Sequence, residues 1–207
     1  MGHRIITVSR EFGSGGREVG KRLAERMGIA YYDREIITAV AQRSGLAEEY
    51  IASISERGVS GYYPITFGHT FAHTSAMLDP HMEVMTEQTK LLKSLAEKGD
   101  CVIVGRCADV VLRAAEPFNL FVYADQESKL ERCRARQSEE EKKLTDNELK
   151  RRMAKVDKDR ARYRALLTDH RWGDMRGYHL CINTTGWNMH DLVDVLAPVV
   201  EAYFSKK

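Results

Sequence analysis

The sequence predicts an α/β fold, a parallel sheet of about five strands with helices on both faces. Three observations carry this. Short apolar, β-branched runs recur along the chain, as buried parallel strands require. Stretches with helical apolar spacing separate them. The first strand leads through a glycine-rich loop straight into a helix, the opening unit of nucleotide-binding α/β folds.

Ile5-Ile6-Thr7-Val8 reads as the first strand. Three glycines in four positions, Gly13, Gly15 and Gly16, then demand a loop with unusual backbone angles. Val19, Leu23, Ala24 and Met27 recur at helical spacing, and Gly28 ends that helix. Ala30 to Tyr32 forms a short strand, and Asp33 is placed to cap a helix carrying Ile36, Ile37, Val40 and Ala41. A shorter helix follows at about Glu48 to Ser55. Residues 57 to 76, rich in glycine, aromatics and histidine, form the largest irregular segment and a candidate flap. A long helix runs from about Asp79 to Lys98 and stops at Gly99. Cys101 to Val104 and Leu120 to Tyr123 are the next buried strands. Asp125 caps a helix bearing Arg132, Arg134 and Arg136. The run from Ser138 to Lys143 is polar and exposed. Thr145 with Glu148 forms a capping box for a helix running toward His170. His179 to Asn183 is the last strand, and Asp191 to Phe204 a closing amphipathic helix.

The chain has 207 residues, 43% hydrophobic and 30% charged, which suits one domain over 1–207 with a sizeable core. No apolar stretch approaches the roughly 18–20 residues that a membrane span needs. The start lacks a signal-peptide h-region, and Gly2 lacks the downstream Ser or Thr of a myristoylation site. Cys101, Cys107, Cys133 and Cys181 are widely spaced with no C-x-x-C pair, so a reducing, cytoplasmic setting with free thiols is expected. The net charge is only +2, yet residues 150–164 carry eight Lys/Arg against two Asp. The basic charge is therefore concentrated in one element. It fits a phosphate-facing lid or a solvated helix face, and no aromatic RNA-binding motif accompanies it.

The glycine loop is the strongest chemical signal. N–H groups of such a loop, leading into a helix N-terminus, converge on phosphate, and the helix dipole assists. Gly13, Ser14, Gly15, Gly16 and Arg17 are the candidate donor-phosphate residues. The loop departs from the standard G-x-x-x-x-G-K-[ST] form: the leading glycine is missing, and Gly16 is followed by Arg17 and Glu18. Arg17 can bring a positive charge to the phosphates as a planar fork rather than a point charge. Arg106 follows a buried strand at its C-terminal end, where open α/β sheets bind ligands. His69 and His73 have the spacing of a shared metal pair but no evident third ligand.

The run Ser9-Arg10-Glu11-Phe12-Gly13-Ser14-Gly15-Gly16-Arg17-Glu18 combines with two later ones, Tyr31-Tyr32-Asp33-Arg34-Glu35-Ile36-Ile37 and Val102-Ile103-Val104-Gly105-Arg106-Cys107-Ala108-Asp109. Together they resemble the cytidylate kinase-like family, a branch of the P-loop nucleoside monophosphate kinases. The resemblance spans essentially the whole chain. It implies a P-loop NTPase-type fold with an NMP-binding segment at about 33–98 and a helical lid at about 138–170. It implies γ-phosphoryl transfer from ATP, with Mg2+, to a small phosphorylated acceptor, a nucleoside monophosphate such as CMP. It implies acceptor binding by Asp33 and Arg106 with Asp109 nearby, and a catalytic set of Arg17, Arg160, Arg162 and Arg164. The usual loop lysine aligns near Gly16. Cys107 stands where cytidylate kinases have aspartate, and Ala161 where a lid aspartate is expected. The magnesium ligands are not identified. Neither a nucleic-acid nor a membrane partner is expected. The alternative is a nucleotide-binding protein with a degenerate loop and no kinase activity.

Overall fold

The computed structural model describes residues 2–33, 80–136 and 144–206. Five strands build an all-parallel sheet in the order β2-β3-β1-β4-β5. In chain order they are β1 (Ile5–Arg10), β2 (Ala30–Tyr32), β3 (Cys101–Val104), β4 (Phe118–Tyr123) and β5 (Leu180–Asn183). The helices are α1 (Gly16–Met27), α2 (Pro80–Lys98), a single turn α3 (Ala108–Val111), α4 (Gln126–Ala135), α5 (Asp146–Ala165) and α6 (Met189–Ser205). The helices expected from Asp33 and near 48–55, the 57–76 flap with His69 and His73, and the 138–143 run lie outside the described residues.

Alternation along the strands fills both faces of the sheet. Ile6, Val8, Val102 and Val104 pack with Val19 and Leu23 of α1 and Leu192, Leu196 and Val200 of α6. Ile5, Cys101 and Ile103 point the other way, onto Leu91, Leu92 and Leu95 of α2. A fully buried aliphatic side chain of this kind contributes about 1.5–3 kcal/mol, so the central strands anchor the fold.

The local signals act as the sequence predicts. Gly28 and Gly99 adopt positive φ at the ends of α1 and α2. Asp125 accepts the Ser128 N–H at 2.7 Å to cap α4, and Thr145 with Glu148 forms the full capping box of α5. Boundaries move where tertiary pairing adds to propensity. β4 begins at Phe118, two residues early, because parallel pairing with Ile6 extends it. β1 continues through Ser9 and Arg10, which pair with Phe121 and Val122. Arg10 is therefore the last residue of the central strand rather than a loop residue. The helix from Thr145 stops at Ala165, short of His170.

Candidate functional site

Because β1 is the middle strand, its C-terminal end delivers the glycine loop to the centre of the sheet edge. Gly13 and Gly15 hold φ of 77° and 81°, values that side chains rarely adopt. Space forces glycine as well. A Cβ on Gly15 would lie 2.5 Å from Met189 Cε, and one on Gly13 would lie 2.9 Å from Cys133 Sγ. The loop then enters α1 at Gly16, so the first N–H groups of a 12-residue helix open onto it.

Ser14 is fully buried beneath the loop. Its hydroxyl donates to the Glu11 carbonyl at 2.9 Å, and its own carbonyl accepts from Thr184 Oγ1 at 2.7 Å. Arg132 of α4 donates to Thr184 Oγ1 at 3.0 Å and to the Thr184 carbonyl at 2.6 Å. The Ser14 side chain thus fixes loop shape, and the end of β5 supports the loop from below. Sequence spacing gave no sign of this, since Thr184 is 170 residues away.

Helix α5 is tied to the same loop. Asp157 accepts the Phe12 N–H at 2.8 Å and an Arg160 N–H at 3.0 Å. Arg160 also donates to the Arg10 carbonyl at 3.0 Å and lies over the Phe12 ring at 6.0 Å. Burial pushes the Asp157 carboxyl above its ordinary range, against the pull of the Arg160 charge and the Phe12 N–H. Arg160, 13% exposed, therefore faces the loop.

Arg164 shares the inward face of α5 but meets something else. It forms an ion pair with Asp109 at 2.5 Å, both side chains 3% exposed. It also donates to the His170 carbonyl at 3.1 Å and stacks on Tyr178. Neither Arg164 nor Asp109 lines the cavities at the loop; the two lie instead beside a separate surface cavity of about 530 Å³. Arg162, 45% exposed, pairs with the buried Asp159 at 3.3 Å. Of the three arginines expected at the reaction centre, the structure brings only Arg160 to the glycine loop.

Arg17 and Asp33, expected on donor and acceptor sides respectively, meet each other in an ion pair of 2.5 Å. The arginine remains half-exposed at the rim of the loop cavity. That cavity, of about 360 Å³, is lined by the loop glycines and by Arg10, Arg132, Arg136, Arg152 and Arg160. A second cavity of about 30 Å³ sits beyond it, at the end of β3, bounded by Gly105, Arg106, Cys107, Tyr163 and Trp172. Arg10 and Arg160 line both.

The end of β3 is strained. Gly105, Arg106 and Cys107 hold φ of 79°, 58° and 49°, three left-handed residues in succession. Only the first is glycine; each of the others costs on the order of 1–3 kcal/mol. The turn closes with the Ala108 N–H on the Gly105 carbonyl at 3.1 Å. It places Arg106 and Cys107 against the small cavity. Burial, reinforced by Asp109, pushes the Cys107 thiol up to about 12, so it stays protonated. Burial likewise pushes the Tyr163 phenol up to about 12, and its oxygen accepts from Gln88 at 2.7 Å. Both are neutral walls at physiological pH.

The carboxylates near the loop are engaged by cations: Glu11 by Lys129, Glu18 by Arg22 and Arg136, Asp33 by Arg17, and Asp157 by Arg160. Among the described residues no cluster of three His, Cys, Asp or Glu can hold a metal. These residues do not make a magnesium cage.

The sequence pattern of the cytidylate kinase-like family matches residues 5–186, which include all five strands and the glycine loop. The chain belongs to the cytidylate kinase-like family. No curated protein matches it in sequence. Among solved structures, an uncharacterized protein from Eubacterium ventriosum ATCC 27560 is 25% identical, with 96% of this chain and 98% of that one covered and a TM-score of 0.69. A shikimate kinase from Bacteroides thetaiotaomicron superimposes at a TM-score of 0.57 with 15% identity, covering 96% and 98%. A gluconokinase from Sinorhizobium meliloti 1021 does so at 0.53 with 16% identity, covering 99% and 97%. The fold of this family member is that of the P-loop kinases. No helix among the described residues is long and apolar enough to cross a membrane.

Proposed function

We propose that the protein is an ATP-dependent phosphotransferase that acts on a small phosphorylated acceptor, with a nucleoside monophosphate such as CMP as the first candidate. The observation that carries this is the meeting of two cavities at Arg10 and Arg160. One cavity holds the glycine loop and suits the donor phosphates. The other holds Arg106 and suits the acceptor's phosphate. In-line transfer needs donor and acceptor oxygens on opposite sides of the moving phosphoryl group, with cations beside it. The glycine N–H groups and the α1 N-terminus would bind the donor. Arg160 would stabilise charge that develops in transfer, and α5 would exclude water. Asp157 holds Arg160 in place. Arg17 and Asp33 act as one unit at the rim. Asp109 and Arg164 support the architecture from outside the reaction centre. A phosphate acceptor needs no strong general base, and the neutral Cys107 and Tyr163 supply none. Magnesium would enter with the nucleotide, held by phosphate oxygens and water, as Mg2+ commonly is at such sites.

The test is a coupled assay with ATP, Mg2+ and a panel of nucleoside monophosphates. Shikimate and gluconate belong in the panel, because structural neighbours carry those kinase names. Turnover above the background ATPase rate with one acceptor supports the reading. Well-folded protein that transfers to none of them refutes it for that panel. The second reading, a nucleotide-binding protein without transfer, has a specific observation in its favour: glycine stands where the loop lysine belongs. ATP binding by calorimetry with no turnover would select it.

A further inference from the structure

The loop lacks a lysine at its usual place, yet the structure puts another cation in the same space. Counting back from Gly15 and Gly16 over the standard G-x-x-x-x-G-K spacing places Arg10 at the position of the leading glycine, and Gly16 at that of the lysine. The two residues are in contact. A Cβ on Gly16 would lie 2.5 Å from Arg10 Cβ and 3.1 Å from its Cγ. The Arg10 stem therefore runs over the spot from which a lysine side chain would start. Its head continues to the end of β3. There a Cβ on Gly105 would lie 2.1 Å from an Arg10 Nη and 2.9 Å from Cζ. Two glycines, on segments far apart in sequence, leave room for the stem and the head of one arginine.

We propose that Arg10 is the donor-phosphate cation of this loop, and that Arg10 and Gly16 exchange the glycine and lysine positions of the standard phosphate loop. The inference rests on the phosphotransferase reading above and assigns the cation which that reading lacks. Arg10 ends the central strand, so its backbone is fixed by the sheet, and the residue lines both cavities with its head at Gly105. A guanidinium there offers a planar fork to two phosphate oxygens, where lysine would offer a point charge. Its carbonyl accepts from Arg160, so loop cation and lid arginine are held in register. The exchange also accounts for Arg17. With the cation supplied from position 10, the arginine after Gly16 is released to pair with Asp33.

The test uses the full chain and isothermal titration with ATP, with thermal unfolding as a fold control. Arg10→Met keeps the stem between Gly16 and Gly105 but removes the charge. It is expected to unfold within a few degrees of the wild type and to bind ATP at least about tenfold more weakly, the scale of one lost charge-assisted hydrogen bond. Gly16→Lys alone is expected to lower the melting temperature, because the new side chain meets Arg10. The double exchange R10G/G16K recreates the standard arrangement. It is expected to recover ATP affinity to well above that of Arg10→Gly alone. ATP binding by Arg10→Met within about twofold of wild type would overturn the proposal, as would an exchange variant that binds no better than Arg10→Gly. Failure of the wild type itself to bind ATP would instead sink the parent reading, so the two failures are distinguishable.

Discussion

Asp109→Asn separates a structural from an acceptor-binding role for this residue. The carboxylate and Arg164 are both 3% exposed and 2.5 Å apart. Burial alone would lower the arginine's pKa, but Asp109, with Tyr178 beside it, holds it above its ordinary value. The guanidinium therefore stays charged, and a neutral amide in place of its partner leaves a buried cation with no counter-charge, beside the His170 carbonyl and the Tyr178 face. Such a loss costs about 3–5 kcal/mol. The Arg164 contact to the His170 carbonyl survives and asparagine fills the same space, so the low end, ~3 kcal/mol, is expected. At about 2–4 °C per kcal/mol for a chain of this size, the melting temperature should fall by about 6–12 °C. Thermal unfolding by circular dichroism reads this directly. The double variant D109L/R164M should recover most of the loss, because an apolar pair of similar volume replaces a buried ion pair at little cost. A variant Asp109→Asn that melts within about 2 °C of the wild type but loses acceptor affinity would refute this reasoning and return Asp109 to the acceptor site.

Three further outcomes follow from other parts of the site. Thr184→Val removes the hydroxyl that joins Ser14 to Arg132, and should cost about 1–3 kcal/mol in urea unfolding while weakening ATP binding through a loosened loop. Cys107, with its thiol near 12 against an ordinary 9.0, should react with iodoacetamide at pH 8 about a thousandfold more slowly than an ordinary thiol, as read by mass spectrometry before and after denaturation. Asp100 is exposed to a burial penalty, but the Arg4 N–H and guanidinium outweigh it and hold the carboxyl below its usual 3.8. A depressed carboxylate contributes stability that is present above its unfolded pKa and lost as pH falls through the folded one. The stability gap between wild type and Asp100→Asn should therefore persist at neutral pH and close below about pH 4.

The fold was legible because its signals are local. Ile5 to Val8 and Cys101 to Val104 are buried on both faces and read as such, and Thr145–Glu148 and Asp125 announce their helices within a few residues. The site was legible only where glycine marks it. Asp109 and Arg164 are 55 positions apart, and nothing near either residue reveals that the other neutralises it. The charge pattern of 150–164 is silent for the same reason. Its net charge is a sum over a whole helix and does not tell which cation faces the loop. Asp157 holds Arg160 at the loop, while Asp159 pairs with Arg162 and Asp109 with Arg164. One arginine of the three faces the glycine loop. Arg10 shows the opposite case. Its importance was carried by two absences, the missing leading glycine and the missing lysine, which look like damage when each is read alone. Space links them: a side chain at 16 and the arginine at 10 compete for one volume, so the loss of lysine is what the gain of Arg10 requires.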